Sequence, residues 1–286
     1  MSAAEPDRPP LKGPGPHGRS RVALAALALL DVAGEDDALA RRNALVLLAL
    51  APTMHGQYEE AISLHRQALS VAQGAGLQPA TAATLGDLGQ LERMRGNNEE
   101  AQRFLVESLQ LSTELNDPQA RAHALVNLSF IARSLDDLAT ARAYAEEAVT
   151  LTKQLGARAL LAMSLSALLR VMVAENDLNA AAPLAADVVI RCRELEDRHG
   201  LAVSLEWLGV IAIQQGDAER GARLFGAAAS IRDEIEFPPS PSALRDLEPS
   251  LERAKQDLGQ VAYERFWSEC AALDLDQAVA YALTQH

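Results

Sequence analysis

Apolar and small residues recur three and four apart in short runs, and each run ends on Gly, Asn or Asp. In Ala82 to Leu91, Leu85, Leu88 and Gly89 mark one face of a helix. The same places are held by Leu125, Leu128 and Ser129, by Leu165, Leu168 and Leu169, and by Leu205, Leu208 and Gly209. A second helix follows each of these. In Glu99 to Leu115, Ala101, Leu105 and Ser108 correspond to Ala141, Ala145 and Ala148. Between the two helices stands a turn: Gly56-Gln57-Tyr58, Gly96-Asn97-Asn98, Asp136-Asp137-Leu138, Asn176-Asp177-Leu178 and Gly216-Asp217-Ala218. These blocks stand 40 residues apart. A fixed period with turn residues in fixed phase predicts a repeat architecture of five helix-turn-helix units. Gly74-Ala75-Gly76 with Pro79, Asn116-Asp117-Pro118, Leu155-Gly156-Ala157 and Asp197-Arg198-His199-Gly200 close the units.

The pattern changes at both ends. Residues 1–20 hold five prolines and three glycines, which predicts a disordered tail. Val22 to Leu30 aligns with Ile62 to Ser70 at the same step of 40, as a second helix without its first. That half-repeat opens a repeat domain over 21–236. Pro52 is expected to interrupt the first helix of unit one. At Phe237-Pro238-Pro239-Ser240-Pro241 the repeat stops, and a helical cap over 237–286 follows. Its predicted helices are Ser242 to Leu258, Gln260 to Leu273 and Leu275 to Leu283. Asp274 and Gln277 form a capping box for the last.

Composition narrows the functional classes. The hydrophobic share is 49%, yet aromatics make up 4%, so Ala and Leu fill close-packed helices. A net charge of -13 argues against direct nucleic-acid binding and against an anionic membrane surface. Cys192 and Cys270 form no ligand motif and read as buried thiols in a reducing cytoplasm. Val22 to Leu30 is too short for a bilayer span and lacks a signal-peptide flank, so the chain reads as soluble and cytoplasmic.

A first helix with L-x-x-L-[small], then G-[DN]-x-x-x-A, then a small residue seven further on, resembles the tetratricopeptide (TPR) repeat. The resemblance covers roughly residues 21 to 235. The unit here is 40 residues against the usual 34, and the family's early Trp and mid-helix Tyr are absent. It implies an all-α, right-handed superhelix, an α-solenoid of five ~40-residue repeats between a half-repeat and a cap. The stretch from Ala222 to Leu283 resembles the C-terminal end of TPR arms in bacterial signal-transduction ATPases, often with LuxR-type effector domains. That likeness implies a regulatory arm.

Chemistry is sparse. Gly13 to Ser20 approaches a phosphate loop, but Arg19 stands for its lysine, Pro14 and Pro16 remove backbone donors, and no apolar strand precedes it. His17, His55, His65, His123, His199 and His286 form no metal frame. The pairs Glu59-Glu60, Glu99-Glu100 and Glu146-Glu147 suit helix N-termini. No enzyme, cofactor or metal is expected. Trp207, Trp267, Phe225 and Phe266 read as core.

A TPR stack offers a concave groove lined by first helices. Helical phase turns Ala83, Gly86, Gln90 and Arg93 inward, then His123, Val126, Phe130 and Arg133, then Met163, Ser166, Arg170 and Val173, and in unit five Val203, Glu206, Val210 and Ile213. Asn127 and Trp207 sit at the edge of that face. Arg93, Asn127, Arg133 and Arg170, with His123 and the apolar anchor Phe130, form the expected partner site. Arginine forks a carboxylate, and Asn can hold a peptide backbone. The competing expectation is that these arginines pair with the chain's own acids. The partner class is a protein or peptide, with homo-oligomerisation left open. Two other readings stand beside it: a sensor of a small effector, and an arm of a regulator whose ATPase or DNA-binding parts lie elsewhere.

Overall fold

A computed structural model describes residues 37–284, which form thirteen helices and no strand. The tail over 1–20 and the half-repeat at Val22 to Leu30 lie outside the described residues. Ten helices make five pairs: α1 (Ala38–Met54) with α2 (Tyr58–Gly74), α3 (Gln78–Arg95) with α4 (Asn98–Glu114), α5 (Pro118–Ser134) with α6 (Leu138–Leu155), α7 (Arg158–Ala174) with α8 (Leu178–Glu194), and α9 (Arg198–Gln214) with α10 (Ala218–Ile235). Each helix packs on the next, and each first helix also touches the first helix of the following pair. The result is an α-solenoid.

The backbone repeats at half the sequence period. Gly56, Gly76, Gly96, Asn116, Asp136, Gly156, Asn176, Glu196, Gly216 and Glu236 all have positive φ, at a constant step of 20. Each stands just past a helix end. The amide after it donates to the carbonyl five residues back, as Asn97 does to Glu92 at 2.8 Å and Asp217 to Ala212 at 2.8 Å. This is the Schellman closure, which satisfies carbonyls that a helix end leaves free. Except after Glu236, the next residue is the N-cap of the following helix. Asp or Asn takes that place at 97, 117, 137, 177, 197 and 217, and its side chain accepts an amide of the first turn.

Small residues set the distance between paired helices. A Cβ on Gly89 would lie 2.4 Å from Cγ of Leu105, so the small place in the first helix admits a large residue from the second. Ala61, Ala101, Ala141, Ala181 and Gly221 are all buried at the matching place of the second helices.

Pro52 does not interrupt α1, contrary to the expectation. It lies in the last turn, and the helix runs on to Met54. Pro52 cannot donate an amide, but at a helix end the loss is one bond of the ladder.

Beyond Glu236 come α11 (Pro241–Leu258), α12 (Gln260–Ala271) and α13 (Leu275–Leu283), the last with the Asp274–Gln277 capping box. Helix α12 docks on α10, where Gly226 meets the Trp267 carbonyl so closely that a Cβ would sit 2.1 Å from its oxygen. Helix α11 takes another course. It touches α9, α10 and α3, so it crosses the face lined by first helices.

Candidate functional site

The site is built from α3, α5, α7 and α9, with most of its side chains from α5. Arg93 lies 4.7 Å from the Phe130 ring centroid, and Arg170 lies 4.6 Å from the same ring. Arg170 also lies 5.0 Å from the Trp207 ring, and Arg133 lies 5.6 Å from it. Cations and rings therefore alternate across four helices: Arg93, Phe130, Arg170, Trp207, Arg133. A guanidinium near a ring is attracted by its quadrupole, more so when water is kept away.

The six expected site residues are neighbours, but their roles divide. Asn127 is 1% exposed. Its Oδ1 accepts from Arg93 Nε at 3.1 Å, and its Nδ2 donates to the His123 carbonyl at 3.1 Å. Both ends are committed, so Asn127 positions Arg93 and offers nothing to a peptide backbone. His123 Nε2 bonds Gln90 Oε1 at 2.9 Å. Burial and the Arg93 charge push its pKa down to about 4, so the ring is neutral at pH 7. Phe130 and the three arginines remain the partly buried edge of the cluster.

That edge is already occupied. Asp246 of α11 accepts from Arg133 Nη2 at 2.5 Å and lies 3.8 Å from Arg170 Nη1. The expectation that the arginines pair with the chain's own acids thus holds for Arg133 and Arg170. The acid arrives from the cap helix, 113 residues away. One carboxylate pairs with two guanidiniums, and burial lowers the pKa of Arg93 to about 10 and of Arg170 to about 9, with the Asp246 charge opposing both shifts. Both stay charged at neutral pH.

A strap leads to α11. The Phe237 ring meets His199 at a tilt of 47° with centroids 4.3 Å apart, and the Phe237 carbonyl accepts from Arg232 Nη1 at 3.3 Å. Arg232 is itself forked by Glu206 at 2.5 and 2.9 Å, both side chains being nearly wholly buried. Glu206, phased into the groove by helical period, is therefore an internal counter-ion. Burial and Arg232 push the His199 pKa down to about 4. Between the strap and the first helices lies a cavity of about 320 Å³. Arg93, Arg170 and Arg232 reach it, as do Phe130, Met163 and Phe237.

Sequence phase found Arg93, Phe130, Arg133 and Arg170. It placed Trp207 at the edge and missed that the indole carries two of the arginines. Asp246, Arg232 and Phe237 carried no signal, because they lie at or beyond the end of the repeat. Among the described residues no group of three or more His, Cys, Asp or Glu could hold a metal ion, and no helix is long and apolar enough to cross a membrane.

Residues 40–114 and 121–155 match two tetratricopeptide-repeat family models. BtubC (BKLC) from P. vanneervenii is similar in structure, with a TM-score of 0.55 and 21% identity over 79% of this chain and 92% of that one. The apo form of RapI is similar at a TM-score of 0.56 and 13% identity, over 88% of this chain and 92% of its own. These likenesses show the fold, a TPR-like α-solenoid. A comparison with curated proteins gives no match.

Proposed function

We propose that this chain is a non-catalytic interaction arm whose inner face takes an acidic segment of a protein partner. The Asp246 contact carries the reading: a carboxylate of the chain itself lies against two arginines of the ladder. Arginine forks carboxylates, and Phe130 and Trp207 lie against the guanidiniums and keep them partly dry. The partner brings an Asp or Glu to the place of Asp246, so α11 must give way. Arg93, Arg133 and Arg170 bind, Phe130 anchors, and Asn127 and His123 hold the frame. The site acts in the cytoplasm, on protein, without nucleic acid or membrane.

A labelled peptide of residues 237–258, offered in trans, tests this. It should bind the Asp246→Asn chain at least tenfold more tightly than the wild-type chain, whose own α11 competes. The same peptide with Asn in place of Asp246 should bind at least tenfold less well. Arg133→Ala with Arg170→Ala should abolish capture. Equal binding by the double variant would end the reading.

A second reading is favoured by the cavity. A chamber under the strap suits a sensor, in which a small effector sets how firmly α11 is held. This fits a ligand-sensing arm of a bacterial signal-transduction ATPase or LuxR-type regulator, with ATP and DNA handled by other parts.

A further inference from the structure

The chamber is short of negative charge. Arg93 spends its Nε on Asn127, Arg232 spends its fork on Glu206, and Arg133 bonds Asp246. Beyond the Phe130 and Trp207 rings, Arg170 has one ion pair, at 3.8 Å, with a carboxylate that Arg133 already uses. It makes no hydrogen bond, and its Nε is buried without an acceptor. A buried donor left unpaired is costly, and a buried charge more so. Asp197 also reaches the chamber, but it caps α9 by accepting the Gly200 amide at 2.8 Å. His199 is neutral, so it adds no charge to either side.

Thr53, Gln90 and four serines add neutral polar groups, and the remaining walls are apolar. Met54 and Met94 come from the N-terminal side, Phe130 and Met163 from the middle, and Phe237 from the strap. About 320 Å³ falls within the range of small-molecule sites, roughly 300–1,000 Å³. A bare inorganic anion would leave these walls unused.

We propose that the chamber binds a small organic monoanion, a carboxylate or sulfonate on an aromatic or aliphatic body. The anionic end takes the free donors of Arg170, and the body lies between Phe130, Met163 and Phe237. This rests on the sensor reading and names its ligand class. Because the strap forms one wall, the ligand holds the strap and α11 down and opposes entry of an acidic partner segment.

The test uses the full chain and two probes of nearly one shape. 8-Anilinonaphthalene-1-sulfonate carries the charge, and N-phenyl-1-naphthylamine lacks it. The sulfonate should bind one to one by fluorescence titration and raise the melting temperature, as a ligand of the folded state does. The neutral probe should bind at least tenfold more weakly. Arg170→Gln should weaken the sulfonate at least tenfold. Ser166→Phe, which fills the chamber and keeps every charge, should weaken both probes at least tenfold. Sodium sulfate should compete no better than chloride at equal ionic strength.

If both probes bind equally and raise the melting temperature, the chamber takes ligands but the anion class is wrong. If neither binds, or the sulfonate lowers the melting temperature, both the sensor reading and this inference fail. Displacement by sulfate would show that any anion suffices and would overturn the organic ligand. Should Arg170→Gln not fold, Ser166→Phe and the neutral probe still decide.

Discussion

The Asp246 carboxylate lies 2.5 Å from the Arg133 guanidinium, and the two side chains are 21% and 13% exposed. The pair joins the cap to the middle of the repeat. Asp246→Asn should cost about 1.5–3 kcal/mol, the worth of a hydrogen bond to a charged group. Arg133→Met should cost a similar amount. Together they should cost less than the sum, since each alone removes the same bond. Urea unfolding of the four chains measures the coupling, and additive losses would mean that the pair contributes nothing of its own. Hydrogen exchange should quicken in α11 before it does in α5.

Glu206 and Arg232 form a second, drier pair, with side-chain exposures of 7% and 5%. Removing one partner of such a pair strands the other. Glu206→Ala should therefore destabilise by about 3–5 kcal/mol, and Arg232 would then add to the positive charge around Arg170. Replacing both by apolar residues of like size should recover most of the loss. Chemical denaturation of the single and double variants checks this, and a double variant as weak as Glu206→Ala would refute it.

What could be read in the sequence was whatever the period repeats. The 40-residue step is visible in Ala61, Ala101, Ala141 and Ala181 because close helix packing accepts few residues there. The 20-residue step is hidden. A left-handed turn accepts Gly, Asn, Asp or, at a cost, Glu, so no single letter marks it. Helical phase likewise assigned an inside to Arg93, Arg133 and Arg170. It could not show that Asp246 reaches them. Helix α11 lies outside the repeat, and no local pattern in it marks the face on which it docks.

Acid should weaken the fold. Burial sets the pKa of His65, His123 and His199 to about 4, below the ordinary 6.5. Between those values the unfolded chain binds protons that the folded chain refuses. The stabilisation is full above pH 6.5 and falls as the pH drops toward 4. Asp87, 3.9 Å from His65, works the other way. Burial raises its pKa to about 6 from 3.8, so it gains stability as pH falls through that window. Three groups lose and one gains, so the urea midpoint should be lower at pH 5 than at pH 7. His123→Gln should lessen the drop, while an unchanged midpoint in the wild-type chain would contradict the burial of these rings.

Glu196 tests the turn itself. Its φ is +54°, its side chain is exposed, and the turn places it between α8 and the Asp197 cap of α9. An L-residue there is strained by roughly 1–2 kcal/mol, because Cβ crowds the following carbonyl oxygen. Glycine has no Cβ, but it loses more freedom on folding, by roughly 0.5–1 kcal/mol relative to Ala. The difference favours Glu196→Gly by up to about 1.5 kcal/mol. Gly216, one step later with φ +92°, should respond oppositely: Gly216→Val places a β-branched residue in the left-handed region and should cost more than 1 kcal/mol. No atom lies within 4 Å of a Cβ built on Gly216, so the loss would come from the backbone and not from a clash. Melting temperatures of the two variants should therefore move in opposite directions. If both fall, the exposed Glu196 side chain contributes more than its strained backbone costs.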